Sequence, residues 1–225
     1  MEKSSPPGRL KNRSKGRGVL TPEAIIDAAI RIADAEGLDA LSIRRVGAEL
    51  NARAMSLYHH FDSKADLLGA MANEVVAEVL LEGPVPADWR EALSKIARRL
   101  YATLVGHPWL VFVLPKRPRF GPNEAKQAEQ LALAMASVDL EPAEVWTLVG
   151  TVNDYVLGHS LRAALAPKGV DLEEPIRGRD LVDQELAALP DWLRTRASLE
   201  RFESGLKIVL NGVERDILEA GAGGP

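Results

Sequence analysis

Between Leu41 and Leu68 the chain reads LSIRRVGAELNARAMSLYHHFDSKADLL, and the punctuation of this stretch restricts the fold more than any other feature. Ser42 is a good helix N-cap, and Ile43, Val46 and Leu50 follow at i, i+3 and i+7, one face of a short helix. Asn51 then interrupts the pattern. Asn tolerates positive φ better than most residues, so it can close a helix and turn the chain. A second short amphipathic piece follows over 54–61, with Leu57 and Phe61 on one face and Met55, Ser56, Tyr58 and His59 pointing elsewhere. Ser63 caps a third helix, with Asp66 in a capping-box-like position. Two short helices joined by a tight turn form the helix-turn-helix layout, whose second helix can enter the major groove of DNA.

The rest of the chain is also helical by pattern, and no sustained period-2 alternation argues for a sheet. Thr21, Pro22 and Glu23 start a first helix with Ile25, Ala28, Ala29, Ile32 and Ala33 as its buried stripe, closed by Gly37. A fourth is expected over 64–81, a fifth over 89–105, a short apolar segment over 109–114 and a seventh over 123–137, with Ala128, Leu131, Ala132 and Met135 inward. An eighth runs to 165 with Val145, Val149, Val152, Val156 and His159 in its stripe. A Pro/Gly/acid-rich loop (166–178), a helical piece (180–189) and a last helix capped by Ser198 complete the chain. Aromatics are only 5% of residues, so the core must rest on Ala, Leu and Val. The expected fold is all-α: a basic arm over 1–20, a three-helix DNA-binding head over 21–66, and a larger helical ligand-binding and dimerisation domain over 67–220.

Charge supports this division. A net charge of −4 does not suit a DNA binder taken as a whole, but residues 1–66 hold 11 Lys/Arg against 9 Asp/Glu, while the remainder holds 17 against 23. Lys3, Arg9, Lys11, Arg13, Lys15 and Arg17 lie in the first twenty residues. Phosphate binding needs a local cationic surface rather than a basic protein.

The run Arg44-Arg45-Val46-Gly47, Leu50-Asn51-Ala52 and Ser56-Leu57-Tyr58-His59-His60-Phe61-Asp62-Ser63-Lys64-Ala65-Asp66-Leu67-Leu68 resembles the DNA-binding domain of the tetracycline-repressor-like (TetR) family of bacterial transcription regulators. The match covers 21–68. Two positions depart from it: Asn51-Ala52 replaces the usual Gly-Val, and Arg53 replaces a Ser or Thr cap. The resemblance implies a repressor that binds a palindromic operator as a homodimer and leaves it when a small effector binds. It implies phosphate contacts from Ser42, Arg44, Tyr58, His59 and Lys64. From groove chemistry, Arg53 suits a bidentate contact to guanine, and Ala54 or Met55 a thymine methyl, with Ser56 beside them at the N-terminal end of the second helix. Leu57 and Phe61 are expected in the core, and His60 as a structural histidine bonded within the turn.

The eighth and last helices are the natural pairing surfaces, with Gly150, Gly158, Gly205 and Gly212 where backbones can approach and Phe202, Leu206, Val209 and Val213 on the stripe of the last helix; the resemblance implies a four-helix bundle there. Expected walls of an effector cavity are Leu80, Ile96, Leu100, Tyr101, Leu104, Phe112, Leu114, Leu131 and Met135, with Trp146, Asn153 and Asp154 on the eighth helix. Leu114 falls where tetracycline repressors carry a magnesium-ligating histidine, so an apolar or amphipathic effector is expected, with no cofactor or metal. The absence of cysteine excludes disulfides and Cys-ligated zinc. No Gly-x-Ser-x-Gly, His-Glu-x-x-His or phosphate-cradling Gly loop supports an enzyme. With no secretory signal and no bilayer-length apolar run, a cytoplasmic protein without membrane contact is expected. The rival reading is an all-helical small-molecule-sensing or protein-interaction module that does not bind DNA.

Overall fold

The computed structural model describes residues 20–116, 121–165 and 199–222, and among these every regular element is helical. The expected arm, the loop at 166–178, the piece at 180–189 and the cap at Ser198 lie outside the described residues.

Local rules account for the helix starts. Helix α1 (Pro22–Glu36) begins at Thr21, whose hydroxyl accepts from Ala24 N–H at 3.2 Å, and ends at Gly37 with φ +85°. Helices α2 (Ile43–Glu49) and α3 (Ala54–Leu57) follow, then α4 (Lys64–Val76), capped by Ser63 through Asp66 N–H at 3.1 Å. The periodicity predicts α4 to Leu81, but the helix stops at Val76, tightens into a 3₁₀ turn over Ala77–Val79 and becomes extended at Leu80. A tertiary contact explains the early stop. The Gln130 side chain accepts from Leu81 N–H at 2.9 Å and donates to Leu81 C=O at 3.0 Å, so a neighbouring helix satisfies the backbone that the α4 ladder leaves.

Helix α5 (Trp89–Gly106) is capped by Asp88, and α6 (Leu110–Val113) runs into a 3₁₀ turn at Leu114–Lys116. Helix α7 (Pro122–Ala134) is shorter than expected and rotated from its expected face: Leu131, Ala134 and Met135 are buried, whereas Ala128 and Ala132 face solvent. Helices α8 (Pro142–Ala164) and α9 (Leu199–Ala222) pack on α5 and on each other. At their centre Tyr101 stacks on Phe202 with ring centroids 4.0 Å apart, and His159 meets both rings edge-on. Arg98 pairs with Glu203 at 2.8 Å, and Arg90 reaches Leu210 C=O and Glu214, which ties α5 to α9 along its length. One apolar cluster runs from Ile25 in α1 through Met71 in α4 to Val213 in α9, so the head rests on the body through a continuous core.

Candidate nucleic-acid interface

The turn between α2 and α3 is built from backbone needs that the sequence announces. Asn51 has φ +52°, the left-handed conformation its position demanded, so Asn does here what Gly does more cheaply. Ala52 N–H donates to Gly47 C=O at 2.8 Å, and a Cβ on Gly47 would lie 3.0 Å from Ala52 O. Gly47 is therefore a close-approach residue that the pattern of apolar positions did not single out; a glycine inside a short amphipathic helix was the available signal. Ser42 caps α2, its hydroxyl accepting from Arg45 N–H at 3.1 Å. Arg53 occupies the N-cap of α3 with no side-chain capping bond, which leaves its guanidinium outside the helix start.

Helix α3 is divided in two by burial. Leu57 is completely buried and Phe61 nearly so, while Met55 is 69% and Tyr58 47% exposed. Ala54 and Ser56 are half-buried, and Arg44, Arg53, His59 and Lys64 are exposed. The regular helix is only Ala54–Leu57, shorter than the 54–61 expected. The chain continues as a turn in which His60 and Phe61 N–H both reach Leu57 C=O. His60 is exposed, and its main-chain N–H donates to Leu57 C=O at 2.9 Å, which bonds it within the turn through its backbone.

The cations of the head divide by what they touch. Arg45 donates to Glu36 at 2.6 Å and to Glu49 at 2.9 Å, and these hydrogen bonds to carboxylates raise its pKa further above the usual guanidinium value. It braces α1 against α2. Lys64 donates to Leu38 C=O at 3.2 Å, which leaves its ammonium further donors. Arg44 and Arg53, with Lys64, give the exposed face its positive charge.

In the body, the structure separates residues that the sequence grouped. Ile96, Leu100, Tyr101, Leu104, Leu131 and Met135 are buried in the core, and Leu80, Phe112, Leu114 and Asn153 are half-buried. Trp146 is 66% exposed and Asp154 is exposed, so neither walls an interior cavity; they lie off the α8 stripe formed by Val149, Val152 and Val156. Asp154 instead lines an open hollow of about 500 Å³ between α8 and α9, with Tyr155, Gly158, His159, Arg162, Arg201, Ser204, Gly205 and Ile208.

The pairing surface needs a matching correction. Phe202, Leu206 and Val213 are at most 3% exposed within the single chain, so they have almost no surface left for a partner. Val209 and Gly212 are half-buried, Gly150 likewise, and Gly158 is exposed. Gly205 is already filled from its own chain: the Tyr155 ring lies where its Cβ would be, and the Tyr155 hydroxyl donates to Phe202 C=O at 2.9 Å. The outer flank of α9 is marked by Ile208, 72% exposed, which the periodic stripe passed over. Its signal was an isoleucine out of register with 202, 206, 209 and 213.

Among the described residues no helix is long and apolar enough to cross a membrane, and no group of three acidic or histidine side chains is placed to hold a metal ion.

With this geometry in place, comparisons with known proteins agree along the chain. Residues 25–71 match the description "Bacterial regulatory proteins, tetR family", and residues 83–217 match "Tetracyclin repressor-like, C-terminal domain". The HTH-type transcriptional repressor DrrR1 of Streptomyces coeruleorubidus is 36% identical over 156 residues, 67% of this chain and 56% of that protein. An HTH-type transcriptional regulator of Saccharopolyspora erythraea is 31% identical over 150 residues, 67% of this chain and 64% of its own length. The chain thus spans 56% and 64% of these two relatives. Apo ActR from Streptomyces coelicolor superposes with a TM-score of 0.73 at 28% identity, covering 89% of this chain and 98% of ActR. A head with a left-handed Asn between its two short helices, joined to a helical body that matches over most of its length, places this chain in the TetR family of bacterial regulatory proteins.

Proposed function

We propose that this chain is a transcription regulator, a repressor in its default mode, that binds a two-fold-symmetric DNA operator as a homodimer and is released by a small apolar or amphipathic molecule. One observation carries the DNA reading. Helix α3 holds Leu57 at zero exposure in the core while turning Met55 and Tyr58 outward beside Arg53, so one short helix is locked on one side and open on the other. In this reading Arg53, Ala54, Met55 and Ser56 face base edges, and Ser42, Arg44, Tyr58, His59 and Lys64 hold phosphates. Residues 21–66 act as the head and 67–220 as the sensing and pairing body, in the cytoplasm.

Pairing is assigned to the outer flank of α8 and α9, where Gly158, Ile208 and Gly212 lie, with Gly150 and the half-buried Val209 beside them. A partner is needed because one helix-turn-helix makes few base contacts; paired heads sit about one DNA turn, roughly 34–36 Å, apart. Supporting the sensing role, ActR has been solved with actinorhodin and with (S)-DNPA, and this chain is 27% and 29% identical to it in those structures, each with a TM-score of 0.69. The effector site is proposed among α5, α6 and α7, whose Leu100, Tyr101, Leu104, Phe112, Leu114, Leu131 and Met135 belong to the apolar core cluster or pack against it. The molecule acts only as far as it prefers the form that does not bind DNA.

The test is a mobility-shift titration with duplex DNA from the region around the chain's own gene, at two salt concentrations. The expected result is a specific shift on a short pseudo-palindrome with a steep loss of affinity in salt. No shift above that of a scrambled duplex rejects the reading.

A further inference from the structure

Between head and body runs an open groove of about 630 Å³, lined among others by Asp27 of α1, Glu78 of the turn after α4, Arg99 of α5 and His107 at the α5 C-cap. At its edge one side chain crosses the gap. Asp34 stands in the last turn of α1, and its Oδ1 accepts from Trp109 Nε1 at 2.7 Å and lies 2.9 Å from His107 Nδ1. The imidazole continues to Glu78, with Nε2 3.3 Å from Oε1.

The corner that grips Asp34 is itself firm. His107 N–H donates to Thr103 C=O at 2.8 Å, and Leu110 N–H to His107 C=O at 2.9 Å, so the residues between α5 and α6 are pinned at both ends. Trp109 is 3% exposed and meets the His107 ring edge-on. Asp34 is the contrasting partner: a side chain at the surface whose removal empties no core. Three residues beyond Trp109, Phe112 enters the layer assigned above to the effector.

We propose that Asp34 is the positioning residue that fixes the angle of the head, held by a His107–Trp109 clip whose displacement at the α5–α6 corner frees α1. The idea rests on the regulator reading for its purpose, but the clip lies within one chain and is testable alone. It adds a direct route from α6 to α1 beside any route through α4. The corner has discrete, directional bonds to the head, which a shift of an ångström or so breaks, so a small movement behind α6 gives a large change in head freedom.

The chain has no cysteine, so spin labels enter cleanly. Labels at Asp62→Cys in the head and Lys126→Cys on α7, both exposed sites, are introduced into a chain co-expressed with an excess of label-free protein, so that pulsed dipolar spectroscopy reads one head-to-body distance. The Asp34→Ala variant is expected to broaden that distribution at least twofold and to weaken binding to duplex DNA from around the gene about tenfold, the scale of losing one charge-assisted hydrogen bond. Asp27→Ala, an exposed acid lining the same groove, is expected to change neither. Trp109→Phe keeps a ring in the buried position and removes the N–H, and is expected to broaden the distribution as well, which covers a failure of Asp34→Ala to fold. Distributions for Asp34→Ala and Trp109→Phe that superimpose on the parent overturn the proposal. A parent protein that shifts no duplex rejects the regulator reading, while the distance measurement still decides the clip.

Discussion

Ile208 offers the sharpest test of how two copies meet. It is 72% exposed on a helix that buries Phe202, Leu206, Leu210 and Val213, and it lines the α8–α9 hollow with Gly158, where among the described residues nothing lies within 4 Å of the place a Cβ would take. Burying an isoleucine completely is worth roughly 1.5–3 kcal/mol, so covering the exposed part contributes about 1–2 kcal/mol per copy. A two-fold interface uses each patch twice, which brings the total to about 2–4 kcal/mol, or roughly thirtyfold to a thousandfold in the dimer dissociation constant. Ile208→Asp removes that contribution and adds the cost of desolvating a carboxylate, so the loss belongs at the upper end of the range or beyond. Sedimentation velocity over a hundredfold concentration range is expected to show the parent as a dimer and the variant dissociating. Val105→Asp on α5, replacing a side chain that is also exposed at 41%, is the control and is expected to leave the dimer intact. An Ile208→Asp variant that sediments as the parent does at every concentration refutes the placement of the interface.

Asn51→Ala forces a Cβ-bearing residue without a compensating amide into φ +52° and is expected to destabilise the fold by about 1–2 kcal/mol in urea titration, while Asn51→Gly holds stability within a few tenths of that of the parent. Gly205→Ala drives the Tyr155 ring from its place and breaks its bond to Phe202. Overpacking at about 1–3 kcal/mol exceeds the roughly 1 kcal/mol gained in helix propensity, and a lower urea midpoint is expected. In the mobility-shift assay, Arg44→Ala weakens all duplexes alike and reduces the salt slope by about one, whereas Arg53→Ala and Met55→Ala change which sequence is preferred. Arg45→Ala is expected to leave the salt slope unchanged, because its guanidinium is already engaged by Glu36 and Glu49.

What could be read from the residues in order was whatever depends on neighbours in the chain. Thr21, Ser42, Ser63 and Asp88 cap helices because each hydroxyl or carboxylate oxygen meets an N–H three residues on. Asn51 turns the chain because its own φ is at issue, and Leu57 faces inward because the spacing of the head leaves it no other side. The tertiary structure alone decided which of several apolar faces a long helix buries and where its polar groups find partners. The stripe 202, 206, 209 and 213 has the same period whether it meets its own α5 and α8 or a second chain, and only the packing around the Tyr101 and Phe202 rings assigns Phe202, Leu206 and Val213 to the interior. Gln130 ends α4 from a distance of 49 residues, and Asp34 finds Trp109 across 75. Periodicity records that a face is apolar and capping records where a ladder begins; neither contains the direction of a contact formed only when distant segments close on one another.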